Sequence, residues 1–300
     1  MALLYGKKAC NSPNCCLLCD KFTKQTTKMR FPLLFISAFL LFSHVGYSQN
    51  PNTTKLYVIG TVHDSSSILT PQMLFEILNE IKPDILLQEN DSEQITSYFD
   101  DIRPNSNEQN ASLMYINKHP NTLNLPFEFE GRNQYRKDNG MVPTDNLTIK
   151  LIDSLYRANR LSSSNRKIFE KYQEANNALI NFSKRDIKAL NSIEFETVNK
   201  YRQFIQHHEL PKIANAEEVF NERFVKKPNG ERISYREGYQ LWCNFWDLRN
   251  NAMAINIIRK ANEHKGKKIA VLTGVQHKYY LKELLDKYYD GNYEVIEYFK

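Results

Sequence analysis

Lys55-Leu56-Tyr57-Val58-Ile59-Gly60-Thr61-Val62-His63 carries the clearest strand signal in the chain. Seven residues rich in β-branched and aromatic side chains run into a glycine-containing turn, the signature of a buried strand. Downstream of it, Thr70 is placed to cap a helix that opens at Pro71 and continues through Met73–Ile81. Pro83-Asp84 ends it, and Ile85–Glu89 is a second short apolar strand. A strand, a helix and a strand in this order predict a parallel pair joined by a right-handed crossover.

The same pattern returns near the other end. Lys268–Gly274 is a strand, residues 277–289 form a helix, and residues 293–299 form a closing strand. Between the two ends, residues 91–120 read as one or two helices with loops, and Leu123–Gly131 as a third strand. Residues 144–226 show apolar side chains three and four apart and are largely helical. A turn at 226–232 leads into a long helix from about Tyr235 to Asn262. The fold class predicted is α/β, a mostly parallel central sheet flanked by helices, with a helical insertion at about 140–230.

In an open parallel sheet, ligands bind beyond the carboxyl ends of the strands. Strand one ends at His63, strand two at Gln88-Glu89-Asn90, strand three at Glu128-Phe129-Glu130, and strand four at Gly274-Val275-Gln276-His277. The spacing G-x-x-H occurs twice, at Gly60 to His63 and at Gly274 to His277. A glycine there permits a tight turn that aims the following side chains over the sheet edge. Taken singly, such a histidine satisfies a turn and such a glutamate caps the next helix. The matching placement of all of them is what marks a site.

Arg249 adds an independent mark. Trp242, Trp246, Met253 and Ile257 form an apolar stripe on the long helix, and Arg249 falls inside it. A guanidinium on such a face needs an anion, since an unpaired buried charge is very costly. Glu89, Glu128 or a substrate can supply one, and Asn250 and Asn251 can lend hydrogen bonds. His63, Glu89, Arg249 and His277 are therefore the candidate catalytic residues, with Glu130 a weaker candidate. They suit two chemistries. In one, His63, Glu89 and His277 hold a divalent metal ion whose bound water attacks a substrate. In the other, a histidine is a general base, a carboxylate orients it, and Arg249 stabilises an oxyanion.

There is no G-x-S-x-G, H-E-x-x-H, Walker A or G-x-G-x-x-G motif. His207 and His208 read as surface residues of a helix, and His119 and His264 as loop or helix-end residues. Cys243, beside Trp242, reads as a buried inert thiol.

The net charge of +6 is concentrated at the start of the chain, where Lys7, Lys8, Lys21, Lys24, Lys28 and Arg30 face only Asp20. From Gln49 onward 34 basic and 33 acidic residues nearly cancel, so nothing points to nucleic acid. Residues 29–48 read as a signal peptide, with a short apolar core at Phe31–Phe42 and small residues Gly46 and Ser48 before Gln49. The alternative is an uncleaved segment that tethers the chain to a membrane. Residues 1–28, with Cys10, Cys15, Cys16 and Cys19, read as an extension ahead of the natural start, Met29. A metal knuckle at Cys16 and Cys19 is the alternative. The domain then spans 49–300, is exported to a periplasm or the exterior, and carries only Cys243, so it forms no internal disulfide.

Gly60-Thr61-Val62-His63, the strand Pro83–Glu89, the helix segment Leu248–Ile257 and Val271–His277 together resemble the TraB/GumN/Tiki superfamily, akin to the ChaN haem-uptake proteins and the erythromycin esterases. The resemblance covers residues 55–90 and 244–290. It implies a site made from His63, Glu89, Arg249 and His277. It also implies three activities to choose among: a metal-dependent peptidase, an esterase with a histidine base, or a haem-binding protein with Tyr279 and Tyr280 near His277. The expectation carried forward is a hydrolase, with a metal ion as cofactor, acting on a small molecule or peptide, and haem binding as the alternative. The first motif continues as His63-Asp64-Ser65, where relatives often have a hydrophobic residue after the histidine, which leaves the subfamily open.

Overall fold

The computed structural model describes residues 52–299; the readings of residues 1–28 and 29–48, with Cys10, Cys15, Cys16 and Cys19, lie outside them. Strand β1 (Thr54–Thr61) leads to α1 (Pro71–Ile81) and β2 (Ile85–Gln88). Helices α2 (Ser92–Thr96) and α3 (Asn107–Lys118) precede β3 (Leu123–Pro126). The helical block comprises α4 (Arg132–Asp138), α5 (Met141–Arg157), α6 (Ser163–Phe182), α7 (Ile187–Leu190), α8 (Ile193–Phe204), a π-helical turn at Ile205–Glu209, α9 (Leu210–Ala216) and α10 (Val219–Glu222). A small hairpin, β4 (Phe224–Lys226) and β5 (Arg232–Ser234), feeds α11 (Tyr235–Glu263). Then come β6 (Lys268–Gly274), α12 (Val275–Lys287) and β7 (Tyr293–Ile296).

The central sheet has the order β3-β2-β6-β1-β7 and every pairing in it is parallel. The α/β class is as the sequence predicts, but one pairing is not. β1 and β2 are parallel without touching, because β6 fills the slot between them. Two long apolar strands, β1 and β6, thereby occupy the centre, where both faces are covered. β3 is also shorter than expected: Pro126 removes a donor, and the chain leaves the ladder after Phe127 and Glu128 bond back to Gln88 and Asn90.

Alternate strand residues face two helical layers. Leu56, Val58, Leu87, Ile269 and Val271 pack against Met253 and Ile257 of α11 and Leu281 and Leu285 of α12. Ile59, Leu86, Ala270 and Leu272 pack against Leu74 and Leu78 of α1, Tyr115 of α3 and Phe195 of α8. Thr70 caps α1 by accepting from the Met73 amide, as its position predicts. The helical block has a core of its own, with Ile152, Phe169, Tyr172, Ile213, Phe220 and Cys243 buried together. Cys243 is buried, as read, and burial pushes its thiol up.

Of the two G-x-x-H glycines, Gly274 stands at the junction of β6 and α12, whereas Gly60 serves another end than a turn. Gly60 lies inside β1, where a Cβ would stand 3.0 Å from Asn191 Oδ1 and 3.1 Å from Val275 Cγ1. Asn191 takes that space, accepting from the Gly60 amide at 2.8 Å and donating to its carbonyl at 2.9 Å. His207 departs from the sequence reading as well. The π-helical turn carries one extra residue and turns the ring inward, where it is 3% exposed and stacked between Trp242 and Trp246. His208 stays at the surface.

Candidate functional site

All four candidates stand at the carboxyl end of the sheet, but they divide into two groups. Arg249, Glu89 and His277 form one closed cluster with Glu128. His63 stands beside it and takes a partner of its own.

The cluster is built around the guanidinium. Nε donates to Glu128 Oε1 at 3.0 Å. One terminal nitrogen donates to Glu89 Oε1 at 2.7 Å and to Glu128 Oε2 at 2.5 Å. The other donates to His277 Nε2 at 2.8 Å. Of five guanidinium N–H groups, four are used. Glu89 is held on its second oxygen by the Thr273 hydroxyl at 2.7 Å and the Gly274 amide at 2.8 Å. Glu128 is 2% exposed and also takes the Arg132 guanidinium at 3.1 Å. Each buried charge is thus matched, as it must be to persist.

His277 is fixed at both ring nitrogens. Asn250 donates its amide to the Trp246 carbonyl at 2.7 Å, so its oxygen is the end that faces His277 Nδ1 at 2.8 Å. Nδ1 therefore carries the proton and Nε2 offers its lone pair to Arg249. Trp246 stacks on the ring with centroids 4.6 Å apart. Burial, followed by the Arg249 charge, pushes His277 down to about 3. A neutral imidazole that accepts from a guanidinium positions that guanidinium. Burial pushes the Glu89 carboxyl up, but the neighbouring His277, Arg249 and His63 outweigh it and hold Glu89 well below the usual carboxylate range. With His277 neutral, Arg249 is the permanent cation that keeps Glu89 ionised.

His63 is tied to the start of α3. The Asn107 amide donates to the His63 carbonyl at 2.9 Å, and the Asn107 side chain to the Val62 carbonyl at 2.7 Å. This staple sets Glu108, in the first turn of α3, against His63 Nδ1 at 3.0 Å. The Thr61 hydroxyl donates to the same carboxylate oxygen at 2.5 Å. Since a carboxylate only accepts, Nδ1–H points at Glu108 and Nε2 is left for whatever enters the site. The hydrogen bond to Glu108 raises the His63 pKa above the ordinary 6.5, ahead of the opposing effect of burial.

His63 and Glu89 open onto a cleft of about 590 Å³ lined also by Asn90, Tyr98, Arg103, Glu108 and Arg132. Leu272 is its one aliphatic lining residue among those described. Arg132 brings a second guanidinium, half-committed to Glu128, to the cleft wall.

The donor set does not fit a divalent metal. His277 Nε2 and Glu89 Oε1 lie 3.8 Å apart with the Arg249 guanidinium bonded to both, so a cation already bridges two of the three expected ligands. No group of three His, Cys, Asp or Glu side chains among the described residues converges to hold a metal ion. Of the residues expected to meet a haem, His277 has both ring nitrogens engaged, and neither Tyr279 nor Tyr280 lines the cleft.

Glu130 does not join the site. Its carboxylate accepts from the Ser92 amide at 3.2 Å and hydroxyl at 2.7 Å, tying down the start of α2. Asn250 lends the hydrogen bond expected of it, whereas Asn251 donates to Asp247 instead. Asp64 lines the cleft and pairs through its backbone with Ser106. Glu108 and Arg132 went unmarked in the sequence. An acid two residues after Ser106 reads as ordinary helix capping, and Arg132 sits in a stretch with no periodicity. In comparisons with family models, curated proteins and solved structures, nothing matches the chain.

Proposed function

We propose that the protein is a metal-independent hydrolase of esterase type that uses His63 as its general base. What supports this is the His63–Glu108 pair, with Nε2 unengaged at the wall of a polar cleft. His63 Nε2 takes a proton from a water molecule as the water oxygen attacks the substrate carbonyl carbon. Glu108 holds the ring in the required tautomer and stabilises the imidazolium. Arg132 faces the oxyanion that forms. Arg249 is less suited to that role than the sequence suggests, because Glu89, Glu128 and His277 engage it already. The carbon–oxygen bond to the leaving group then breaks, and the imidazolium returns its proton to the departing alkoxide. The scarcity of apolar lining favours a hydrophilic small molecule or short peptide ester over a lipid. Within the resemblance noted above, the erythromycin-esterase side accords best with this chemistry. With residues 29–48 taken as a signal peptide, the activity lies outside the cytoplasm, and a mature chain beginning at Gln49 on N-terminal sequencing checks that.

The test is hydrolysis of a panel of water-soluble chromogenic esters and lactones, with and without prolonged chelation. We expect turnover that survives chelation and disappears in His63→Ala, with the circular dichroism spectrum unchanged. Activity lost to chelator and restored by a divalent ion would instead support the metal-dependent reading of His63, Glu89 and His277. Full activity in His63→Ala would sink both.

A further inference from the structure

The longest helix leaves one face uncovered. On α11 the side chains Leu241, Leu248 and Ile255 are all exposed, at 38%, 47% and 56%. They recur every seven residues, so at 100° per residue they lie on one line along the helix. Glu237 lies on the same line toward the helix start and Arg259 toward its end, both exposed. The five positions fall within about 40° of one another around the helix axis and extend over about 33 Å.

This stripe is self-complementary under a two-fold rotation centred on Leu248. Turned end for end, it sets Leu248 against Leu248, Leu241 against Ile255, and Glu237 against Arg259, each pair occurring twice or on the axis. That is the pattern of an isologous interface, where residue i meets j and j meets i. A groove formed by Lys227, Arg232, Ile233 and Gln240 opens beside Glu237 and Leu241. It lies where the far end of the second helix would arrive. Scattered single apolar residues on a surface need no explanation. A straight heptad line closed by opposite charges at its two ends is a different case.

We propose that this face is an interface between two copies of the chain, paired antiparallel through α11. The apolar seam is narrow and the charges are at its rim, so the dimer is weak and reversible.

Sedimentation equilibrium of the full chain over roughly 1–100 µM is the experiment, because a Kd in that range suits a small seam. We expect a monomer–dimer equilibrium that Leu248→Asp weakens tenfold or more. Arg259→Glu alone, or Glu237→Arg alone, weakens it about three- to tenfold, since either reversal sets like charges together at both ends. Mixing these two singly reversed chains restores the dimer, because each charge then meets its opposite at both ends; the loss in each single variant is what marks the antiparallel arrangement, since a parallel pair would already set like charges together in the wild type. Glu237 also closes the capping box of α11 with Ser234, so circular dichroism must show the helix intact in Glu237→Arg. A chain that is monomeric throughout, or a dimer indifferent to Leu248→Asp, overturns the proposal. So does failure of the mixed chains to recover.

Discussion

At the scale of single residues, the two groups of the site answer to different experiments. His63 is the group whose titration reads out in activity. If it is the base, the rate rises with pH as the ring loses its proton, with an apparent pKa above 6.5 because Glu108 favours the charged form. Glu108→Gln removes the carboxylate that raises it, so the limb should move to lower pH while kcat falls about 10²-fold or more as the ring loses its orientation. A limb that stays in place in this variant would separate Glu108 from His63. Arg249 is a matter of stability first. Arg249→Ala leaves Glu89 and Glu128 buried without their shared cation, and we expect a loss of about 3–5 kcal/mol in a urea unfolding series. Arg249→Lys should recover only part of it, since an ammonium cannot reproduce the fork that reaches Glu128, Glu89 and His277 at once. The positions of His63, Glu89, Arg249 and His277 are legible in the sequence because they stand at strand ends or on an apolar helix stripe. Their division of labour is not. It depends on Glu108, Glu128 and Arg132, which arrive from residues 91–132, where no periodic pattern announces what faces what.

Elements pack here through a few close approaches. Gly238 of α11 is one: a Cβ there would lie 2.4 Å from the Thr144 hydroxyl and 2.8 Å from its Cβ, on α5. Thr144 is buried, is stiff at its branched carbon, and donates to the Gly140 carbonyl at 2.7 Å. Gly238→Ala gains about 1 kcal/mol of helix propensity, but the overlap costs about 1–3 kcal/mol. We expect net destabilisation and a lowered Tm, with Thr144→Ser/Gly238→Ala recovering part of the loss; a Gly238→Ala chain that melts higher would mean the two helices can move apart freely. The helices and their order are largely readable from caps and spacing. Thr70 and Pro71 set α1, and α11 runs within a residue of its expected end. What spacing cannot carry is which strand lies beside which. β1 and β2 are consecutive in the chain, joined through α1, yet β6 separates them, and nothing local to residues 54–88 encodes a strand about two hundred residues away. The π-helical turn is illegible for a related reason: one additional residue rotates His207 from an outward to an inward position without changing the apolar count.

For the whole molecule, the buried imidazoles govern the response to acid. His277 is pushed down to about 3 by burial and Arg249, and His207 well below 6.5 by burial above all. Below 6.5 the unfolded chain protonates both and the native chain does not, so stability falls as pH falls. The contribution of His277 is whole above 6.5 and is lost progressively down to about 3, at up to about 1.4 kcal/mol per pH unit. Thermal melts from about pH 7 to about pH 4 should show this, and His207→Phe, which keeps the aromatic stack, should flatten part of the decline. A His207→Phe curve parallel to wild type would mean that His207 protonates in the native state. The order β3-β2-β6-β1-β7 also bears on the birth of the chain. A ribosome delivers β1, β2 and β3 early, but the strand that joins them emerges only after the whole helical block has been synthesised. Until then β1 and β2 expose open edges and apolar faces to the cell, a state prone to sticking to its neighbours. The nascent chain therefore has reason to need a holding chaperone, and release of a translation product cut before Lys268 should yield aggregate where the complete chain yields soluble protein.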